Sequence, residues 1–272
     1  MAKGKGTVII AENGQPASKR AARQLRQKFE AAGYMTAGSL DRGAELIVCI
    51  GGDGALLGLL AEYDFPGLPI AGINTGHLGF FQDVSSRKLD EFVFNYSRGN
   101  YRKQIYRTVY ADIRGAGGDG AAERLKGLNE IVIRGGKSHS THLNIFIGDS
   151  FIEQFCGDGV VVSTPAGSTA YNYSLGGSIV DPRLELLQLT PIAPINSTAY
   201  RSFTSGILLP PDKTIGIFPE YPKSDEILVT ADGVEHEYLG PESISLGFGK
   251  ETVTILRFRE YDFWDTVKQK LL

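Results

Sequence analysis

Leu46-Ile47-Val48-Cys49-Ile50-Gly51-Gly52-Asp53-Gly54-Ala55-Leu56-Leu57-Gly58-Leu59-Leu60 is the stretch that decides the fold. Residues 46–50 are apolar without alternation, as in a strand buried on both faces. Three glycines then let the backbone turn sharply and come close to a ligand, because no Cβ stands in the way. The leucines after the turn read as a helix. Its N-terminus faces the same space as Asp53 and favours an anion there. Backbone N–H groups at such a turn can cradle anionic oxygens, and the one carboxylate can accept a proton or hold a metal. Strand, glycine turn, acid and helix point to phosphate chemistry; the plain alternative is an ordinary Asp-Gly tight turn.

The pattern extends on both sides. Thr7 to Ala11 reads as a first strand. Ser18 to Ala32 reads as an amphipathic helix, with Ala22, Leu25, Phe29 and Ala32 at helical spacing and Gly33 as the stop. Pro69 to Ile73 reads as a further strand. Ser86 to Ser97 reads as a helix with Leu89, Phe92, Val93 and Tyr96 on one face. Strands alternating with helices indicate a parallel α/β layer. The texture changes near Tyr101. Short alternating runs follow, such as 108–113, 131–133, 143–147 and 227–230, separated by turn residues, and they indicate antiparallel β structure. A helix is expected from Arg183 through Leu187. Phe258 to Leu272, with the single tryptophan Trp264, reads as a short helix that packs back on the body. The expected fold class is an α/β N-terminal domain, residues 1–105, and a β-rich, sandwich-like C-terminal domain, residues 106–254. The tail 255–272 packs back on the body.

Composition narrows the function classes. At 272 residues, 42% hydrophobic and 22% charged, the chain can bury a sizeable core without disulfide or metal staples. A net charge of −3 argues against a nucleic-acid binder that works by phosphate neutralisation. Glycine stands out at 34 of 272 residues, against about 7% in average usage. The glycines gather in motifs, as tight turns and ligand-contacting loops do. Two cysteines, Cys49 and Cys156, make neither a disulfide framework nor a zinc spacing. No metal site is expected from the protein's own side chains. No membrane-spanning stretch and no signal sequence are read, so a reduced, cytoplasmic setting is expected.

Further motifs carry chemistry. Gly72 to Phe80 is a second glycine-spaced loop at the carboxyl end of a strand, where open α/β sheets bind ligands. Asn74 offers donor and acceptor to a ribose or amide. Phe80 offers a flat face, or simply packs in the core. His77 reads as structural, having no nearby partner carboxylate. Asn129-Glu130 stands at a strand entrance; an amide beside a carboxylate can bind two ribose hydroxyls, or can be a polar strand end. Gly157-Asp158-Gly159, a strand, and then Thr164 to Tyr171 form a polar, sterically open pocket wall. Gly136-Lys137-Ser138 only imitates the end of a P-loop, since Ile131 stands where that motif needs glycine.

In this order, the turn at 51–54, the 74–80 loop, Asn129-Glu130, Gly157-Asp158-Gly159, Thr164 to Tyr171, Leu189 to Pro194 and Ala231-Asp232-Gly233 resemble the NAD kinase family, in its compact bacterial type. The resemblance spans nearly the whole chain. It implies the NAD kinase/diacylglycerol kinase-like fold and transfer of the γ-phosphoryl group of ATP to the adenosine-ribose 2′-hydroxyl of NAD. It implies Mg²⁺ or another divalent metal with the ATP, and a homodimer or homotetramer whose active site, between the domains, is completed by a neighbouring subunit. Asp53 inherits the role of general base, with Gly54, Asn74 and Phe80 beside the nucleotide. Asn129 and Glu130 fall on the NAD ribose and Asp158 near the nicotinamide. Thr169, Ala170, Tyr171 and Ser174 surround adenine and adjoining groups, and Ala166 is a further nucleotide-binding residue. Ala193 and Ile195 would be presented across a subunit interface. Three positions depart from the family's usual residues: Ala55 in place of Thr, Cys156 in place of a basic residue, and Val234 in place of Gln. A lipid kinase sharing the glycine-Asp turn is the runner-up, but it lacks the 164–171 run in this form. A non-catalytic dinucleotide sensor is a third reading, opposed by an intact Asp53.

Overall fold

The computed structural model describes residues 6–41, 43–76, 79–115, 122–136, 139–198, 201–221, 226–258 and 261–272. The chain divides into two compact units, residues 1–106 with 251–272, and residues 107–250.

Unit 1 is α/β. Its elements are β1 (Thr7–Glu12), α1 (Pro16–Ala31), β2 (Met35–Ala37), β3 (Ala44–Ile50), α2 (Asp53–Glu62), β4 (Ile70–Asn74), β5 (Val84–Ser85) and α3 (Leu89–Ser97). The strands run in the order β2-β1-β3-β4 and pair in parallel, with β5 parallel to β4. Residues 46–50 of β3 are all buried, as their unbroken apolar run requires. The inner face of α1 is Ser18, Ala21, Ala22, Leu25 and Phe29, and Pro16 opens the helix where a missing N–H costs nothing. Its end is a Schellman motif: Gly33 N donates to Glu30 O at 2.9 Å and Tyr34 N to Phe29 O at 3.0 Å. The Phe29 and Tyr34 rings meet edge-on at 5.4 Å beneath it. Phe92 and Tyr96 of α3 close on Phe29, each at 5.8 Å, so α3 buries the face its spacing announced. That helix begins at Leu89, not at Ser86. Ser85 pairs in β5, and Ser86 N is already committed to Asn74 O.

Unit 2 is two antiparallel sheets. Its strands are β6 (Arg102–Arg114, from residue 107 onward), β7 (Glu123–Gly127), β8 (Glu130–Gly135), β9 (Thr141–Ile147), β10 (Ser150–Gly157), β11 (Gly159–Ser163), β12 (Leu187–Ile192), β13 (Ile207–Leu209), β14 (Ile215–Pro219), β15 (Glu226–Ala231), β16 (Val234–Leu239) and β17 (Ser243–Arg257, up to residue 250). One sheet has the order β13-β12-β11-β8-β15-β16; in the other, β10, β9, β14 and β17 follow one another. Alternate residues build the core: Ile131 and Ile133, Val160 and Val162, Leu143 and Ile145, Ile215 and Ile217, Ile244 and Leu246. The opposite face of the first sheet carries Val132, Val161 and Ile192 under Leu175. A 3₁₀ turn (Ala166–Thr169) and the short helix α4 (Tyr171–Ser174) precede Leu175.

The helix expected over Arg183 to Leu187 is absent. Asp181 instead closes a turn, accepting from Arg183 N at 3.0 Å and from its guanidinium at 2.8 and 2.7 Å. Leu187 opens β12, with Leu187 paired to Leu209 and Leu189 to Ile207. Those leucines recur at spacing two, which belongs to a strand.

The tail belongs to unit 1. Ile255 of β17 pairs in parallel with Ile70, and α5 (Phe263–Leu271) follows. Asp262 caps α5, accepting from Trp264 N and Asp265 N, while Lys268 and Lys270 complement the helix dipole in the last turn. Among the described residues no helix is long and apolar enough to cross a membrane.

Candidate active site

In unit 1 the glycine turn ends in a clamped carboxylate. Asp53 is the first residue of α2, after Gly52 as N-cap. Its Oδ2 accepts from Phe80 N and its Oδ1 from Phe81 N, both at 3.0 Å. Two backbone donors, one per oxygen, fix the plane of the carboxylate. A Cβ on Gly79 would lie 2.3 Å from Asp53 Oδ1, so only glycine lets the 79–81 loop approach this closely. Gln82 Nε2 donates to Gly52 O at 2.6 Å, tying the same loop to the turn. Lys270 Nζ lies 3.4 Å from Asp53 Oδ2 and 4.9 Å from the centre of the Phe80 ring. Gly54 is exposed, and an added Cβ there would meet nothing within 4 Å.

Asn74 is buried and its Nδ2 donates to Gln82 O at 3.3 Å, so one of its two N–H donors is spent on the loop. Phe80 is half-buried between Lys270 and the Phe263 ring, whose centre is 6.0 Å away. His77 lies outside the described residues. Cys49 is buried in β3; burial pushes its thiol up to about 12, Gln82 opposes the shift and the Asp53 charge adds to it. That thiol keeps its proton at neutral pH.

In unit 2 the Asn129-Glu130 pair sits on a turn held from two sides. Asp232 accepts from Leu128 N at 2.5 Å, Asn129 N at 2.8 Å and Glu130 N at 3.1 Å. Asp232 can do so because it opens the two-residue β15–β16 turn, where it and Gly233 both have positive φ, 47° and 90°. On the other side Thr164 Oγ1 donates to Leu128 O at 2.6 Å and Thr164 N to Asn129 O at 2.9 Å. A Cβ on Gly167 would reach Asn129 O at 2.2 Å, so the Thr164–Gly167 segment lies directly on the pair's backbone. Ala166 is buried there.

So braced, Asn129 Oδ1 and Glu130 Oε2 are buried and have no hydrogen-bond partner among the described residues. A buried acceptor left unmade costs about 1–3 kcal/mol, so such atoms call for a partner from outside the chain, a water or a ligand. Burial pushes the Glu130 carboxyl up to about 8, with the nearby Asp232 charge adding to the shift. Asp232 is pushed up to about 6 by burial, against the pull of its three backbone donors.

The consequence for stability has a definite sign. A carboxyl whose folded pKa is raised stabilises the fold below its unfolded value, here 4.5, and loses that contribution as pH rises through about 8. Urea denaturation should therefore show the wild type losing stability between pH 5 and pH 8. Glu130→Gln, with nothing to ionise, should lose clearly less over the same interval. Equal losses in both proteins would refute the buried, proton-holding Glu130.

The remaining candidates form two groups along β11. At its Ser163 end lie Glu130 and the 164–171 segment, and at its Gly159 end Ile192 and Arg134. Four residue steps separate the ends, roughly 13 Å. Near the far end, exposed Asp158 donates its N–H to Ile192 O at 3.0 Å, and Ile195 N donates to Cys156 O at 2.8 Å. Ala193 is exposed with φ 44°, and Ile195 is exposed too. A Cβ on Gly159 would meet Ile133 O at 2.1 Å, so that glycine serves strand packing. Thr169 and Ala170 are half-buried, while Tyr171 and Ser174 are exposed along α4. Of the three departures, Ala55 is half-buried and Val234 exposed; Cys156 is buried, with Sγ 3.5 Å from His142 Nε2.

Two family models match in register with these features: the ATP-NAD kinase N-terminal domain over residues 12–101 and the ATP-NAD kinase C-terminal domain over residues 128–254. The NAD kinase of Finegoldia magna is 34% identical over 252 residues, 91% of each chain.

This chain belongs to the NAD kinase family.

The NAD kinase of Latilactobacillus sakei is 30% identical over 273 residues, 97% of each chain. Two solved structures share the fold. Yeast NADH kinase complexed with NADH gives a TM-score of 0.85 at 19% identity, covering 99% of this chain and 88% of that one. An NAD kinase from Archaeoglobus fulgidus in complex with ATP gives 0.75 at 21% identity, covering 97% and 98%. The NAD kinase fold thus accounts for both the α/β unit and the β-rich unit.

Several residues that matter in this NAD kinase family member carry no motif of their own. Asn172, fully buried in α4, accepts from Gln188 Nε2 at 2.9 Å and Thr190 Oγ1 at 2.6 Å, fastening α4 to β12. Arg257 is buried and donates to Phe80 O at 2.9 Å, behind the loop that grips Asp53. An arginine between the apolar Ile255-Leu256 and Phe258 is a readable signal, since such a charge is buried only when paired. Asp232 was visible as a turn former, but its hold on residues 128–130 was not.

Proposed function

We propose that this chain transfers the γ-phosphoryl group of ATP to the 2′-hydroxyl of the adenosine ribose of NAD, giving NADP and ADP. The observation that carries the reading is the pair of buried, unpartnered oxygens, Asn129 Oδ1 and Glu130 Oε2, in a chain of this family. A ribose presents two hydroxyl donors side by side, and two acceptors on adjacent residues suit them. Glu130, holding its proton near neutral pH, can also donate to a ribose oxygen.

Asp53 is the proposed base. A 2′-hydroxyl is a weak nucleophile until its proton is accepted. The carboxylate is held by backbone donors in a fixed plane, so one lone-pair direction on each oxygen is already committed and the remaining ones can meet the incoming proton. Asp158, Ala166, Thr169, Ala170, Tyr171 and Ser174 are the proposed contacts to the rest of the dinucleotide, and Gly54, Asn74 and Phe80 those beside the phosphates. Among the described residues no group of three or more His, Cys, Asp or Glu side chains is arranged to hold a metal. A divalent cation would arrive on the triphosphate as part of the substrate, where it spreads charge over the β- and γ-oxygens. A homodimer or homotetramer would let a neighbouring subunit complete the site, with Ala193 and Ile195, both exposed in the single chain, presented to it. Two free, buried cysteines suit a reducing cytoplasm.

Purified protein incubated with ATP, Mg²⁺ and NAD should form NADP, detected by a NADP-specific dehydrogenase. NAD binding without NADP formation would favour the sensor reading and overturn this one.

A further inference from the structure

The last helix of unit 1 ends on the carboxylate of the glycine turn, 217 residues away in sequence. The path there is anchored in steps. Arg102 Nη2 donates to Tyr261 O at 2.6 Å, Asp262 caps the helix, Val267 is buried, and the Phe263 ring packs near Phe80. Held along its length, α5 delivers Lys270 to one place.

Stability does not explain that contact. Exposed ion pairs contribute only about 0.2–1 kcal/mol. Asp53 already has a backbone donor on each oxygen, so the cation is not needed to orient it. What Lys270 adds is charge. It stands beside the N-terminus of α2, next to Gly52 and Gly54, where an added Cβ would meet nothing within 4 Å. Its side chain is 31% exposed and that of Asp53 25%, so an anion arriving from solvent can reach both. A flexible ammonium with three donors can then change partners.

Resting on the reading that the chain phosphorylates NAD, we propose that Lys270 is a phosphate-binding residue of the reaction: it rests on Asp53 and moves to a γ-phosphate oxygen when ATP binds. That exchange leaves Asp53 Oδ2 with Phe80 N as its one donor, and opens a lone pair for the hydroxyl proton. The ribose 2′-oxygen bonds to phosphorus as the bond from phosphorus to the β-phosphate oxygen breaks. The hydroxyl proton goes to Asp53 and the electron pair leaves with ADP. Lys270 keeps its proton throughout and neutralises charge on the transferring group.

The test compares Lys270→Met, Lys270→Arg and Lys268→Met with the wild type. Lys268 sits in the same helix and serves as a control for charge in general. Methionine keeps an apolar stem on Phe80 and removes the cation. Lys270→Met should lower kcat/KM for ATP about ten- to a hundredfold, the range expected for a lost charged hydrogen bond. KM for NAD should stay within about twofold, because that contact is made to the donor only. Lys270→Arg should recover most of the loss and Lys268→Met should match the wild type. Calorimetry with ATP alone should show the same order of affinities. Wild-type ATP affinity and kcat/KM in Lys270→Met would overturn the proposal, as would an equal loss in Lys268→Met. If the wild type formed no NADP while Lys270→Met still lost ATP affinity, the kinase reading would fall and the phosphate contact would stand.

Discussion

Replacing Asp53 with Asn is expected to leave NAD affinity near its wild-type value and to lower kcat for NADP formation by about 10²–10⁴-fold, the usual contribution of a positioned base. The side chains are nearly isosteric, so the turn itself should survive. Asparagine can still accept from one of Phe80 N and Phe81 N, but its amide nitrogen would face the other donor. It has no basic lone pair to take the 2′-hydroxyl proton. Cys49 cannot substitute, since burial holds its thiol protonated. The Asn129-Glu130 pair is untouched, which is why NAD binding should persist. A kcat within tenfold of wild type would remove Asp53 from the role of base.

Arg257→Met is expected to destabilise the protein by about 3–5 kcal/mol, the range for breaking one half of a buried charged pair. Arg257 is 1% exposed. It donates to Gln104 Oε1 at 2.8 Å and to Tyr106 OH and Phe80 O at 2.9 Å, lies 3.7 Å from Asp83 Oδ1 and stacks 3.8 Å above the Tyr261 ring. Methionine would fill part of the space and leave the Asp83 charge facing a thioether. Phe80 O would lose its donor, loosening the loop that offers two N–H groups to Asp53. Lysine would keep the charge but not the planar set of donors. The double variant Arg257→Met with Asp83→Asn should recover part of the loss, because the unbalanced charge is gone. Urea denaturation measures all three; a loss below about 1 kcal/mol in Arg257→Met would refute the buried pair as a stabilising element.

How much of this was legible in the chain depended on how far apart the interacting residues stand. The strand at 46–50, the glycine turn and the helix after it were legible because period and turn chemistry are local. The inner face of α3 is legible for the same reason, but its start, three residues after Ser86, is not. Ser86 looked helical by itself, but its N–H belongs to Asn74. The expected helix at 183–187 failed in a similar way: five residues cannot reveal that Leu187 pairs with Leu209. Asn129 and Glu130 stand adjacent at a strand entrance, which is a local signal. What braces them was hidden, since Asp232 lies about a hundred residues later.

By itself, then, the chain determined which segments are strands and helices, that an α/β part precedes a β-rich part, and which short motifs could handle a phosphate and a ribose. Those properties follow from side-chain periodicity and from where the backbone has no Cβ. Only the tertiary structure decided that Asp53 is gripped by Phe80 and Phe81, that Arg257 stands behind that loop, that Asp232 holds the turn of Asn129 and Glu130, and that Lys270 arrives at the acid. Each is a hydrogen bond or ion pair between residues 27 to 217 positions apart. Such contacts depend on the packing of whole elements, and no local pattern of residues encodes them.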